Sequence, residues 1–246
     1  MLSRCIKFEN FKKKKIPKNL LLLYKRLIKK KNDKNNLINS FTNSYILAYD
    51  KKFLKKYKKY KSYCIYGMGG SALGAQAIYD FMKTKIKKSF YFYNNLDKKI
   101  ELANIKKKAL NIIISKSGNT LETIVNDNIS TNTNKLFITE NNNNYLRKVA
   151  LKLKSEIIEH KNFIGGRYSV LSEVGMLPAE LMGLDSKKFK RFNKLILNKL
   201  FVKNLLNNVN ILFELIKKKK TNSIILNYDE SSNSIFRWYQ QLVAES

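Results

Sequence analysis

The sequence predicts an α/β fold built on a doubly wound parallel sheet, with a helical N-terminal segment before it and the start of a second α/β domain after it. From residue 61 onward, short apolar runs alternate with segments of helical periodicity. This alternation is typical of a parallel sheet with helices on both faces. Segments rich in glycine or hydroxyl side chains directly follow two of the runs. The predicted domains are residues 1–60, 61–183 and 184–246.

The spacing of apolar side chains predicts the individual elements. One face of a first helix carries Leu20, Leu23, Tyr24, Leu27 and Ile28, and a second helical stretch covers residues 47–57. The predicted strands are residues 63–66, 90–93, 110–114, 135–139 and 156–158. In the last domain, helices are predicted over 189–200 and 205–216, the run 223–226 is predicted to be a strand of a new sheet, and a helical pattern continues to the end.

Composition and charge favour a globular cytoplasmic protein. The 246 residues are 44% hydrophobic and carry a formal net charge of +31. The lysines are scattered in short runs at expected helix ends and loops, which predicts a spread positive surface and no nucleic-acid partner. Two cysteines, Cys5 and Cys64, form no disulfide scaffold. The apolar segment 20–24 is too short for a signal peptide or a membrane span.

Two segments after predicted strands are suited to binding an anion. The turn from Gly67 to Gly74 contains Gly70 and Ser71 and opens a helix, where free N–H groups and the helix dipole favour negative charge. The second segment, residues 115–123, has more hydroxyl groups than a helix cap needs. Its candidate residues are Ser115, Lys116, Ser117, Thr120 and Thr123. Hydroxyls at two neighbouring strand ends predict a phosphomonoester site.

Two further segments carry charged side chains that could act on such a ligand. In Gly165-Gly166-Arg167, a permanently charged arginine follows paired glycines at a predicted helix start. In the last helix, Gln241 and Glu245 are four residues apart and share one face. No cluster of histidine and cysteine suggests a metal, and no motif suggests a nucleotide cofactor.

Together the four segments resemble the glucose-6-phosphate isomerase family in kind and in order. The most specific match is Gly-Gly-Arg-Tyr-Ser followed by Ser-x-x-Gly, with Gln-Gln-x-x-x-Glu-Ser later in the chain. The resemblance covers residues from about 60 to the end. It implies the sugar-isomerase fold and reversible isomerisation of glucose 6-phosphate to fructose 6-phosphate through a cis-enediol, without a cofactor.

The resemblance also assigns roles to individual residues. Glu245 matches the base that moves a proton between C2 and C1, Arg167 matches the cation that stabilises the transition state, and Gln241 matches a substrate contact. Gly70 and Ser71 match the turn that approaches the sugar phosphate. The phosphate-binding hydroxyls correspond to Ser115, Ser117, Thr120 and Thr123, with Lys116 beside them.

The family's ring-opening histidine and a late lysine would lie C-terminal to Glu245, beyond this chain. The single histidine, His160, does not match the motif and is interpreted as structural. In the family that histidine comes from a dimer partner, so the resemblance implies a homodimer, and little or no turnover by the 246-residue chain alone. Two alternatives stay open: a bifunctional glucose/mannose-6-phosphate isomerase, and a non-enzymatic module that binds a sugar phosphate.

Overall fold

The computed structural model describes residues 15–96, 109–130 and 132–246 and divides the chain into two compact units. One unit takes in Lys190–Leu226 and the described residues up to Tyr45, and the other takes in Ile46–Phe189 and Asn227–Ser246. The domain boundaries near residues 60 and 183 stay a prediction. Cys5 lies outside the described residues.

The larger unit contains a parallel sheet with helices on both faces, which confirms the predicted fold class. Within the described residues, its strands are β1 Ser62–Tyr66, β2 Ser89–Tyr93, β3 Leu110–Ile114, β4 Lys135–Thr139 and β5 Glu156–Glu159. Their order across the sheet is β2-β1-β3-β4-β5, and all neighbours are parallel. All five predicted strands are therefore present.

The helices of this unit are α2 Lys51–Tyr57, α3 Leu73–Met82, α4 Leu121–Ile129, α5 Tyr145–Lys152, α6 Glu173–Leu181 and α9 Asn233–Ala244. Successive side chains of a strand point to opposite faces. On one face, Ile65 and Ile112 pack in a core with residues of α2, α3 and α6. On the other face, Cys64 and Phe137 pack with residues of α5. Burial raises the pKa of the Cys64 thiol to about 12.

The smaller unit is helical where it is described. It contains α1 Lys18–Lys29, α7 Phe192–Leu197 and α8 Lys199–Lys217. The predicted strand at residues 223–226 is wrong, since this segment has no regular structure and Ile224 is 83% exposed. A strand needs backbone hydrogen bonds from a neighbour, and no strand among the described residues pairs with this run. Among the described residues, no helix is long and apolar enough to cross a bilayer.

Candidate functional site

The order of the strands places the glycine turn and the hydroxyl-rich loop at one edge of the sheet. β1 and β3 are parallel neighbours, so the segments that follow Tyr66 and Ile114 leave the same end of the sheet. The chain continues from β1 toward β2 on one side and from β3 toward β4 on the other. Ligands of such sheets bind at the crevice formed by this switch in direction. Both predicted anion-binding segments therefore flank the expected crevice.

Three hydroxyl side chains of the loop after β3 form one cluster. Ser115 Oγ lies 2.8 Å from Thr120 Oγ1 and 3.4 Å from Ser117 Oγ, and it accepts a hydrogen bond from the Gly118 N–H at 3.1 Å. Ser115 is buried, Thr120 is half-buried and Ser117 is exposed. The cluster thus runs from the interior to the solvent, as a site for a small anion requires.

Thr123 and Lys116 are placed differently from the three hydroxyls. Thr123 is 1% exposed in the first turn of α4, and its hydroxyl makes no hydrogen bond to the described residues. The Lys116 ammonium donates to the Asn162 carbonyl at 2.8 Å and pairs with Glu140 at 3.4 Å. Helix geometry turns Thr123 inward, and the lysine links this loop to the segment before Gly165.

The outer side of the loop is hydrogen-bonded to the start of α5, a contact that the motifs in the sequence did not predict. The N–H of Leu146 donates to the Gly118 carbonyl at 3.0 Å, and that of Tyr145 donates to Asn119 Oδ1 at 3.0 Å. Gly118 has a φ of +67°, and a Cβ there would overlap the buried Asn144 amide. The sequence feature that could have predicted the start of α5 is Asn144, since asparagine is a preferred residue directly before a helix.

The glycine turn after β1 lies directly against the Gly-Gly-Arg segment. Residues Gly69–Ser71 form a short 3-10 turn, and Gly166–Leu171 form another. A Cβ at Gly70 would overlap the Gly166 carbonyl, and Ser169 Oγ donates to the Gly70 carbonyl at 3.2 Å. Gly70 is therefore required for the close approach of two backbones, and Ser71, half-buried, follows it at the crevice.

Replacing Gly70 with alanine should lower the free energy of unfolding by about 1–3 kcal/mol, because the added methyl group has to displace the backbone at Gly166. Gly166→Ala is the matched control, since among the described residues a Cβ there meets nothing within 4 Å. That variant should stay within about 0.5 kcal/mol of the original protein. Denaturant unfolding followed by circular dichroism measures both, and equal stabilities of the two variants would contradict the close approach.

Helix α9 brings the predicted base to the predicted cation. Glu245 Oε2 lies 3.8 Å from Arg167 Nη1, and Glu245 Oε1 accepts a hydrogen bond from Gln241 Nε2 at 2.9 Å. The side chain of Gln241 also packs against Gly69. Three of the four sequence segments therefore meet at one place within the larger unit.

Arg167 has further partners that hold its side chain. Its Nε donates to Ser246 Oγ at 3.2 Å, and its guanidinium lies 4.7 Å from the centre of the Tyr168 ring. The Tyr168 hydroxyl is 2.9 Å from Ser246 Oγ. The hydrogen bond with Ser246, followed by that with Arg167, lowers the pKa of Tyr168. The arginine side chain is 28% exposed, so it stays accessible to a ligand.

His160 lies at the end of β5 and is 2% exposed, with Nδ1 3.1 Å from the Lys161 carbonyl oxygen. Burial lowers its pKa, so the ring is neutral at pH 7. This environment agrees with the structural interpretation of the residue. In the described part of the chain, no group of three or more histidine, cysteine, aspartate or glutamate side chains could hold a metal ion.

The fold and the site define an α/β protein whose candidate ligand site lies at the switch point of a parallel sheet and contains a carboxylate paired with an arginine. The sequence model of the family Phosphoglucose isomerase matches residues 54–246. The chain belongs to the phosphoglucose isomerase family, which confirms the resemblance found in the sequence.

Individual relatives agree with this assignment. The glucose-6-phosphate isomerase of Methanocaldococcus jannaschii is 35% identical over 238 residues, a match that covers 86% of this chain and 58% of that protein. A probable glucose-6-phosphate isomerase of Methanococcus maripaludis is 32% identical over 211 residues, a match that covers 77% of this chain and 48% of that protein. The chain thus spans about half the length of the curated relatives it matches.

A solved structure supports the fold alone. The crystal structure of a hypothetical protein from Thermus thermophilus superposes with a TM-score of 0.72 at 21% identity. The match covers 91% of this chain and 59% of that one.

Proposed function

We propose that the protein is a glucose-6-phosphate isomerase that interconverts glucose 6-phosphate and fructose 6-phosphate through a cis-enediol. The observation that carries the proposal is the meeting of Glu245 with Arg167, 3.8 Å apart, beside the glycine turn in a chain of this family. A carboxylate next to a guanidinium supplies the base and the charge stabilisation that an aldose–ketose isomerisation needs.

Glu245 is the group that carries the proton. In the open-chain aldose, its carboxylate takes the proton from C2, the electrons of that C–H bond form the C1–C2 double bond, and the π electrons of the C1 carbonyl move onto O1. O1 gains the proton that the C2 hydroxyl loses, directly or through solvent. The same carboxylic acid then returns its proton to C1, the π electrons of the C1–C2 double bond form the new C–H bond, and C2 becomes the ketone carbon. No electrons leave the substrate, so the reaction requires no redox cofactor. Gln241 holds one oxygen of the carboxylate, which leaves the other directed at Arg167.

Arg167 stabilises the negative charge that develops on the enediolate oxygens, because its guanidinium is permanently charged and only partly exposed. The phosphate is held at the crevice by Ser115, Ser117 and Thr120, and by the turn containing Gly70 and Ser71. Lys116, in the same loop, contributes positive charge near the phosphate. Thr123, which is buried in the first turn of α4, supports the loop from the interior.

The remaining parts of the proposal rest on the family resemblance. A histidine that opens the sugar ring and a late lysine would follow Glu245, with the histidine supplied by a dimer partner. The protein would act as a homodimer in the cytoplasm. It would need no metal ion, nucleotide, nucleic acid or membrane.

Proton transfer can be measured directly by incubating the full-length protein with fructose 6-phosphate in heavy water. Because the base exchanges its proton with solvent, deuterium should enter C1 of fructose 6-phosphate and C2 of glucose 6-phosphate. Proton NMR follows both positions and the ratio of the two sugars. Absence of both exchange and interconversion would refute the proposed function.

Removal of the Ser115 hydroxyl should weaken substrate binding more than it slows the chemical step. Ser115→Ala deletes the buried centre of the hydroxyl cluster, so KM should rise about tenfold while kcat changes by less than about threefold. Ser155→Ala, just before β5 and so at the edge of the sheet opposite the crevice, is the matched control. Steady-state kinetics in both reaction directions would measure the change in KM separately from the change in kcat. An unchanged KM would contradict the assignment of this loop to the phosphate.

One observation favours the isomerase over the non-enzymatic module. A module that only binds a sugar phosphate needs the hydroxyl-rich loop but neither a base nor a transition-state cation, and here these two side chains contact each other. The bifunctional alternative shares the whole site. Turnover of mannose 6-phosphate by the full-length protein would distinguish it.

A further inference from the structure

We infer that Trp238 is a positioning residue that fixes Arg167 relative to the base, an inference that rests on the proposed isomerase function. The indole Nε1 donates a hydrogen bond to the backbone carbonyl of Arg167 at 3.2 Å. This bond joins α9 to the backbone of the Gly-Gly-Arg segment. Arg167 is thus held at its backbone by one residue of α9 and approached at its side chain by Glu245, at the end of the same helix.

The spacing along α9 supports this role. Gln241 follows Trp238 by three residues and Glu245 follows it by seven, which places all three on one helix face. Each contacts a different part of the site: the indole meets the Arg167 carbonyl, Gln241 packs on Gly69, and Glu245 reaches the guanidinium. The indole N–H therefore ties the backbone of Arg167 to the helix that carries the base.

Helix α9 is anchored independently of this bond. Ser234, 5% exposed, donates a hydrogen bond to the Asp80 carboxylate on α3. The half-buried indole also packs against the core on this face of the sheet. Because these contacts keep the helix docked, loss of the indole N–H should shift the arginine without releasing the helix.

The test uses Trp238→Phe in the full-length protein, since phenylalanine keeps an aromatic ring and removes the N–H group. We expect kcat to fall about fivefold to tenfold with KM within about twofold, because one hydrogen bond that orients the transition-state cation is lost. Tyr239→Phe is the matched control on the exposed side of α9 and should leave both constants unchanged.

A double-mutant cycle separates positioning from a general structural effect. If the indole acts through the guanidinium, Trp238→Phe should have no further effect on kcat in an Arg167→Ala background. If Trp238→Phe lowers kcat by the same factor in the original protein and in Arg167→Ala, the inference is overturned while the proposed function stands. Absence of isomerisation by the original protein would instead refute the function itself.

A second measurement follows the fluorescence of the indole, taken as the part of the emission of the full-length protein that Trp238→Phe lacks; Trp238 is the single tryptophan of the 246 residues. Sorbitol 6-phosphate, which has the phosphate and the hydroxyls but no carbonyl, should engage Arg167 and change the emission of the indole in a saturable way. Inorganic phosphate at the hydroxyl cluster should produce a clearly smaller change. Constant emission at sorbitol 6-phosphate concentrations that inhibit turnover would contradict the link between indole and arginine.

Discussion

Glu245→Gln in the full-length protein should lower kcat by about 10⁴-fold or more while sugar-phosphate binding survives. The amide keeps the shape of the side chain but cannot accept the proton from C2 or return it to C1. General acid–base contributions are about 10² to 10⁴-fold, and in the proposed mechanism this carboxylate acts in both half-reactions, so the upper end is expected. Coupled spectrophotometric assays in each direction give kcat, and competition with sorbitol 6-phosphate gives the affinity.

Deuterium exchange is a second measurement of the effect of Glu245→Gln. Incorporation at C1 of fructose 6-phosphate should fall together with kcat, since both depend on the same proton transfer. Glu230→Gln, at an exposed position before α9, is the matched control and should behave as the original protein. Near-normal isomerisation by Glu245→Gln would show that another group is the base.

Arg167→Ala should reduce kcat by about 10²- to 10³-fold, and it should change KM by a smaller factor. In the proposed mechanism the guanidinium acts on charge that appears only in the enediolate, and an interaction made in the transition state contributes to kcat. Removing one such donor from an oxyanion site costs about this much in other enzymes. The lost contacts to Ser246 and Glu245 are at the surface and should affect stability little.

Arg237→Ala is the control for charge, because Arg237 is exposed on α9 and its removal lowers the net charge equally. It should leave kcat unchanged and should lower kcat/KM only slightly and in a salt-dependent way, through weaker attraction of an anionic substrate. If Arg167→Ala raised KM as strongly as it lowered kcat, the arginine would be a ground-state binding residue.

The local pattern of the sequence was sufficient for the sheet and its loops. All five strands were predicted close to their observed bounds, because each contains a short apolar run between segments of helical periodicity, and the central strand β3 is buried at every residue. The parallel arrangement followed from the alternation with helices, and it placed the glycine turn and the hydroxyl-rich loop at one edge. The prediction of a strand at residues 223–226 was wrong for a related reason. An apolar run forms a strand only where a neighbouring strand can share its backbone hydrogen bonds.

The motifs likewise predicted the chemical groups of the candidate site but not all of their neighbours. Ser115, Ser117 and Thr120 cluster as the sequence suggested, because they share one short loop. Lys116 and Thr123 belong to the same motif, yet one side chain turns toward Asn162 and the other is buried. Where a side chain points depends on which segment packs against it.

The sequence by itself determined the fold class, the family and the candidates for the base and the cation. Only the tertiary structure decided that Arg167 contacts both Glu245 and the indole of Trp238, residues that are far from it along the chain. The physical reason is that periodicity encodes which face of a helix is buried, but not the element on which that face docks. Helix α9 docks against α3 and the Gly-Gly-Arg segment, with Gln241 against Gly69, and this docking depends on shape complementarity between the packed elements.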